Sequence, residues 1–207
     1  MSLVKICGVN TGAAFDAVVE AGADFVGFVF FPTSPRHVTG MEAKLLSERH
    51  MNGPKRVGVF VNPGLNDVDG VLQYISLDIL QVHGAPELIA TLKHRFGRPV
   101  WRQVGAEDEV DFPALDEAAD AFIVEAKPPR NASRPGGNAI RADWSLLSRF
   151  RPEKPWLLAG GLTAGNVAEG LRRTGAHGAD VSSGVETAPG QKDPALIRAF
   201  VAAVRGV

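Results

Sequence analysis

Eight short apolar runs recur along the chain, at 4–7, 25–30, 56–61, 79–83, 100–104, 121–125, 156–159 and 179–182. They are rich in β-branched and aromatic residues, and most stop at glycine, proline or a polar side chain. Apolar runs of this length fit parallel strands buried on both faces. Between them lie stretches with helical spacing: 11–20, 41–50, 65–76, 86–96, 107–117, 145–150, 163–174 and 194–204. The punctuation agrees. Asn10 or Thr11 can cap the first helix and Gly22 end it. Pro86 opens the fourth and Gly97 follows it, and Asp193 caps the last with Pro194 at its first position. Strand–helix units repeating at roughly 25 residues predict an α/β protein, a single-domain (β/α)8 TIM barrel over residues 1–207. The rival is an open doubly wound sheet. Against it, the first strand lacks the GxGxxG turn of a dinucleotide site. The longest irregular stretch, 126–142, is rich in Pro, Gly, Asn and Arg, and a loop of that length in a compact barrel is usually functional.

Composition narrows the partners. The 22 lysines and arginines nearly balance the 23 aspartates and glutamates, so no net field argues for nucleic acid or a membrane surface. No apolar run is long enough to span a bilayer, and the first residues do not read as a signal peptide. The one cysteine excludes an intrachain disulfide framework and a cysteine-based zinc cluster, and it fits a cytoplasmic setting. The five histidines are dispersed without zinc-ligand spacing, so no metal site is expected.

Barrel enzymes build their sites at the carboxyl ends of the strands. Here those ends carry Cys7, Arg36 on a proline-flanked loop, His83, Glu125, the turn Gly160-Gly161, and Asp180 followed by Ser182 and Ser183. The thiol of Cys7 is a base or nucleophile if its surroundings lower its pKa, or else a small buried hydrophobe. Lys5 shares its strand face and either raises the thiolate fraction or pairs deeper in the barrel. Arg36 can clamp a carboxylate in two-pronged fashion, or be a solvated surface arginine. The glycine turns after the seventh and eighth strands suit a phosphate, since backbone N–H groups approach a ligand closely there. Ser182 and Ser183 add hydroxyls.

The segments 5–8 (Lys-Ile-Cys-Gly), 22–30, 34–36 (Ser-Pro-Arg), 81–84 (Gln-Val-His-Gly), 158–162 and 180–186 occur in an order that resembles phosphoribosylanthranilate isomerases of tryptophan biosynthesis. The resemblance covers essentially the whole chain. It implies a minimal (β/α)8 barrel and a cofactor-free Amadori rearrangement of a small phosphosugar substrate, N-(5-phosphoribosyl)anthranilate. It implies Cys7 as general base and Glu125 as general acid, with Arg36, His83 and Asp180 on the substrate and Gly160, Gly161, Ser182 and Ser183 on its phosphate. The protein is expected as a monomer or homodimer. The family carries aspartate where this chain has Glu125, and Asp143 and Asp180 are the fallback acids. On this ground Glu125→Asp is expected to keep or raise activity. Ala139 and Ala142 are further departures in the loop after strand six. The alternatives are another phosphosugar barrel enzyme, an epimerase or a lyase using Lys5 or Lys127, or a phosphate-ligand-binding barrel with weakened catalysis.

Overall fold

The computed structural model of the protein describes residues 1–106, 118–126, 144–147 and 152–207. Eight parallel strands close into a barrel: β1 (Leu3–Cys7), β2 (Phe25–Val29), β3 (Lys55–Val61), β4 (Ile79–His83), β5 (Val100–Ala106), β6 (Ala121–Ala126), β7 (Trp156–Leu158) and β8 (Gly178–Val181). Closure comes from β1, which pairs with β2 on one side and β8 on the other. The open-sheet rival is thereby excluded. Helices α1 (Gly12–Glu20), α2 (Gly40–Ser47), α3 (Leu65–Leu72), α4 (Pro86–Phe96), α5 (Trp144–Leu147), α6 (Val167–Thr174) and α7 (Pro194–Arg205) follow in the expected alternation. None of these helices is long and apolar enough to cross a membrane.

Two apolar layers result from strand alternation. Val4, Ile6, Val26, Phe28, Leu80, Val82, Val124 and Leu158 point outward and pack under the helices. Cys7, Phe25, Val57, Val59, Ile79, Trp101, Ala121, Ile123, Leu157 and Ala159 point inward. The rings of Phe25 and Trp101 meet edge to face within this inner layer at 4.8 Å between centroids.

The amino-terminal rim is fastened in pairs. Asp24, just before β2, accepts a hydrogen bond from Val4 N at the start of β1 (2.7 Å). Asp78 does the same for Arg56 N (2.6 Å), and Asp120 for Val100 N (2.9 Å). His177 takes that place in the fourth pair, where its Nδ1 accepts from Trp156 N (3.3 Å). Each clamp satisfies a strand-end donor that the ladder leaves unpaired.

Several details differ from the sequence pattern, among them the helix expected over 65–76, which ends at Leu72. The helix expected over 163–174 begins at Val167. Asn166 folds the preceding turn by accepting from Thr163 N (2.9 Å) and donating to Gly161 O (3.0 Å). The helix expected over 41–50 ends at Ser47, where the Arg56 guanidinium gathers the carbonyls of His50 (2.6 Å) and Pro54 (2.9 Å) instead. An antiparallel hairpin, β9 (Glu186–Ala188) and β10 (Gln191–Lys192), stands between β8 and α7 and was not foreseen. The helix expected over 107–117 and the loop 126–142, with Lys127, Ala139, Ala142 and Asp143, lie largely or wholly outside the described residues.

Candidate active site

Lys5 and Cys7 occupy successive inward positions of β1. The Lys5 side chain is fully buried and its Nζ lies 2.9 Å from Asp180 Oδ1 on the neighbouring strand β8. Burial alone would depress this ammonium, but Asp180 and Cys7 beside it outweigh burial, and its pKa ends above the ordinary lysine value. A Schiff-base lysine needs the opposite, a neutral amine at working pH. Lys5 is therefore a poor lyase nucleophile and a good fixed cation.

Cys7 is 8 % exposed. Burial pushes its thiol pKa up, Lys5 and Lys192 pull it down, and Asp180 pushes it further up, with the net shift upward. The space around the sulfur is made by Gly27 on β2. A methyl added to Gly27 would lie 3.1 Å from Cys7 Sγ and 3.2 Å from Lys5 Nζ. No larger residue fits there without moving the thiol or the ammonium.

Glu125 faces the same mouth from β6. It keeps some accessible surface, yet the protein around it is dense enough to raise its carboxyl pKa to about 7. Burial is the main cause and Asp180 adds to it, while a hydrogen bond from Gln103 and the charge of Lys5 oppose it. A buried carboxyl that stays partly protonated near neutrality is suited to general-acid work. Gln103 on β5 is tied in turn to Gln81 on β4, whose Nε2 donates to Gln103 Oε1 at 2.9 Å. His83, at the end of β4, has its pKa lowered to about 4 by burial and then by Lys5. It faces the mouth as a neutral imidazole.

Arg36 is not a solvated surface side chain. Its guanidinium is 8 % exposed and grips Glu186 through Nε–Oε1 and Nη2–Oε2, both 2.7 Å. Lys192 Nζ, fully buried, reaches the same carboxylate at 2.6 Å. Two cations on one anion leave a net positive charge beside the mouth, ready for a ligand carboxylate or phosphate. Lys192 also donates to the carbonyl (2.9 Å) and hydroxyl (3.2 Å) oxygens of Ser182. Ser182 Oγ in turn donates to Cys7 O at 3.1 Å. The Ser182 hydroxyl proton is thus already engaged, which leaves Ser183 as the freer hydroxyl of the two.

The two glycine turns face each other across the β7–β8 edge. Gly160 (φ 86°) and Gly161 (φ 62°) are consecutive residues with positive φ, a backbone path that needs glycine and lets the chain pass close to a ligand. The Ser183–Val185 segment forms a short 3-10 turn after β8. Gly184 holds the turns together, because a methyl there would sit 1.8 Å from Leu162 O. Gly184→Ala must therefore separate them. Affinity for inorganic phosphate, measured by titration calorimetry, is expected to fall by about tenfold or more, about 1.4 kcal/mol. An unchanged affinity would place the anion elsewhere.

Among the described residues, the structure brings Cys7, Arg36, His83, Glu125, Gly160, Gly161, Asp180, Ser182 and Ser183 to the carboxyl end of the barrel; Lys127 and Asp143 lie outside them. Sequence reasoning missed Gln103 and the anchoring role of the hairpin lysine, Lys192. Gln103 had a signal: it stands two residues after the inward Trp101. Lys192 had none, since a two-residue strand has no period to read.

Comparison with known proteins agrees with this geometry. The family model described as N-(5'phosphoribosyl)anthranilate (PRA) isomerase matches residues 4–203. An N-(5'-phosphoribosyl)anthranilate isomerase of Paracoccus denitrificans is 51 % identical over 204 residues, covering 96 % of this chain and 95 % of the relative. The crystal structure of the Thermotoga maritima phosphoribosyl anthranilate isomerase aligns over 100 % of both chains, with a TM-score of 0.86 at 34 % identity. A solved isomerase in complex with reduced 1-(o-carboxyphenylamino)-1-deoxyribulose 5-phosphate aligns over 100 % of both chains, with a TM-score of 0.80 at 32 % identity. With the closed barrel, the thiol and carboxyl at its mouth and a match along nearly its whole length, the chain belongs to the N-(5'-phosphoribosyl)anthranilate isomerase family.

Proposed function

We propose that the chain converts N-(5'-phosphoribosyl)anthranilate to 1-(2-carboxyphenylamino)-1-deoxyribulose 5-phosphate, with Cys7 as general base and Glu125 as general acid. The observation that carries this reading is the pairing of a lysine-flanked thiol with a carboxyl lifted to about 7, both facing one mouth. Glu125 donates its proton to the ribose ring oxygen. The C1–O bond breaks as the anilinic nitrogen lone pair forms a C=N bond, giving an open-chain Schiff base. The Cys7 thiolate takes the proton from C2, and the electrons neutralise the nitrogen to give an enolamine. Tautomerisation to the C2 ketone returns a proton to C1, so substrate and product have one formula. Arg36, held by Glu186, is positioned for the anthranilate carboxylate. The turns at Gly160-Gly161 and Ser182-Ser183 suit the phosphate. Asp180 and neutral His83 suit the ribose hydroxyls. The match over residues 4–203 supports a single barrel domain.

The proton count sets the pH dependence. The competent state holds one proton between Cys7 and Glu125, and it must sit on Glu125. Below about 7 both groups carry protons and the thiol is no base. Above the Cys7 pKa, itself raised beyond the ordinary thiol value, neither carries one and the acid is lost. The profile of kcat/KM is expected to be a bell with its acidic limb near 7, the two limbs belonging to the coupled pair. An acidic limb near the ordinary glutamate value would sink the assignment. The direct test is a fluorescence assay of substrate consumption, with substrate generated in situ. The parent is expected to turn over, and Glu125→Gln to lose about 10²–10⁴-fold. A parent without turnover would overturn the proposal.

A further inference from the structure

The β9–β10 hairpin carries Glu186 and Lys192, and neither takes part in the proton transfers above. Its register sets Gln191 opposite Ala188 and then Lys192 opposite Glu186, which leaves Thr187 as the extra residue of a bulge. The bulge brings the two charged side chains together, with Lys192 Nζ 2.6 Å from Glu186 Oε1. The hairpin is itself fastened to the mouth. Asn10 Nδ2, just past β1, donates to Gly190 O at 3.1 Å. Gly190 (φ 80°) lies so close to Pro35 O, in the loop after β2, that an added methyl group would overlap it. Lys192 adds its bonds to Ser182 O and Oγ, just past β8. One short hairpin therefore joins the segments that follow three strands.

Arg36 is fixed from two sides. Its stem crosses Gly8, the neighbour of Cys7, where an added methyl would lie 2.5 Å from Arg36 Cδ. Its Nε and Nη2 are held by the two oxygens of Glu186. The other edge of the guanidinium, Nη1 with the second proton of Nη2, has no partner among the described residues. Such an edge is a two-pronged donor shaped for a carboxylate. The charge count points the same way. One cation would balance Glu186, whereas the two buried cations on it leave one positive charge over. Apolar residues of similar size would fill this space without that desolvation cost. An anion that arrives with the ligand accounts for the excess.

We propose that the β9–β10 hairpin is the specificity element of the site: Lys192 and Glu186 are positioning residues that hold the free edge of Arg36 toward the mouth, so that a substrate with a carboxylate is selected over one without. The inference rests on the substrate reading above and extends it to two residues that act through Arg36 without touching the substrate.

Titration calorimetry tests this with two stable ligands, reduced 1-(2-carboxyphenylamino)-1-deoxyribulose 5-phosphate and the same compound without its carboxylate. Binding is the readout because Lys192 also lowers the Cys7 pKa and so reaches turnover by another route. In the parent, loss of the ligand carboxylate is expected to weaken binding by about ten- to a hundredfold, the range for charge-assisted hydrogen bonds. In Lys192→Met this ratio is expected to fall below about threefold. Both ligands carry the phosphate, so any damage to the turn at Ser182 cancels in the ratio. Glu186→Gln separates position from charge. It removes an anion, so the positive charge around Arg36 is no smaller than in the parent even if buried Lys192 then gives up its proton. Attraction alone would keep or raise the ratio, whereas loss of the anchor is expected to bring it below about threefold as well. Glu186→Asp replaces Glu186→Gln if that variant fails to fold, since it keeps the charge and shortens the reach by one methylene. If Lys192→Met fails to fold, the Glu186 variant decides alone. A parent ratio near one, or a ratio unchanged in either variant, would overturn the proposal. Equal weakening of both ligands would assign the cluster to the phosphate and overturn it too. A parent that binds neither ligand would overturn the substrate reading itself, so the two failures are distinguishable.

Discussion

A Cys7→Ser variant is expected to lose turnover by about 10²–10⁴-fold, the range for removing a general base, while keeping its affinity for inorganic phosphate. Serine preserves the size of the side chain, so Gly27 still has room beside it. What serine lacks is an accessible anion. Burial raises the thiol pKa of Cys7 above its ordinary value, and Lys5 and Lys192 oppose that shift. A hydroxyl starts several units higher, and the same two cations cannot bring it into range. The turn after β8 is tied to Cys7 through its carbonyl, which accepts from Ser182 Oγ at 3.1 Å, and the substitution leaves that oxygen in place. Turnover is read from substrate fluorescence and affinity by calorimetry on the same sample. Full turnover in the serine variant would remove the thiol as base. Loss of phosphate affinity together with turnover would mean that the barrel mouth had been deformed.

Lys5→Met is expected to cost about 3–5 kcal/mol of stability, the range for removing one partner of a buried ion pair. Methionine fills a similar length, so the loss comes from leaving Asp180, 8 % exposed, with a charge and no cation at 2.9 Å. The sign with pH follows from the raised lysine pKa. The contribution of Lys5 is fully present below the unfolded lysine value and disappears as pH rises through the folded one. The stability gap between parent and variant should therefore close only in strongly alkaline solution. Urea unfolding at neutral and alkaline pH measures it. Activity should fall as well, since Lys5 lowers the pKa of both Cys7 and Glu125 and both would rise without it. Adding Asp180→Asn to Lys5→Met is expected to recover much of the stability but none of the activity. If the single variant unfolds like the parent, the pair contributes nothing net.

How much of this was legible beforehand depends on the physics behind each feature. The barrel was, because fully buried strands read as continuous apolar runs and each is closed by its own turn residues. The position of the candidate site residues followed from the rule that chemistry gathers at the carboxyl ends of such strands. Thr11, Asp193, Gly97 and Gly175 behave as the caps and stops their residue types suggest. What escaped was pairing between distant segments. Arg36 read as a free clamp, and its grip on Glu186 spans 150 residues. The hairpin carrying Lys192 consists of strands of three and two residues, too short for alternation to register. The start of α6 was misplaced because Asn166 uses its side chain to build a turn, a competition with helical bonding that spacing does not report.

The paired clamps at the amino-terminal rim bear on how the molecule assembles. Val4 meets Asp24, Arg56 meets Asp78, Val100 meets Asp120 and Trp156 meets His177 across sequence separations of 20, 22, 20 and 21 residues. The Lys5–Asp180 pair spans 175. By the logarithmic growth of loop-closure entropy, joining the long span costs roughly 2 kcal/mol more than joining one of the short ones. Two-strand quarters can thus fasten locally and early, whereas the β1–β8 seam closes late. Because Lys5 and Asp180 sit on that seam beside Cys7, the charge balance that serves the thiol is completed only when the ring shuts. A chain stalled with an open seam would hold most of its strands and none of its chemistry.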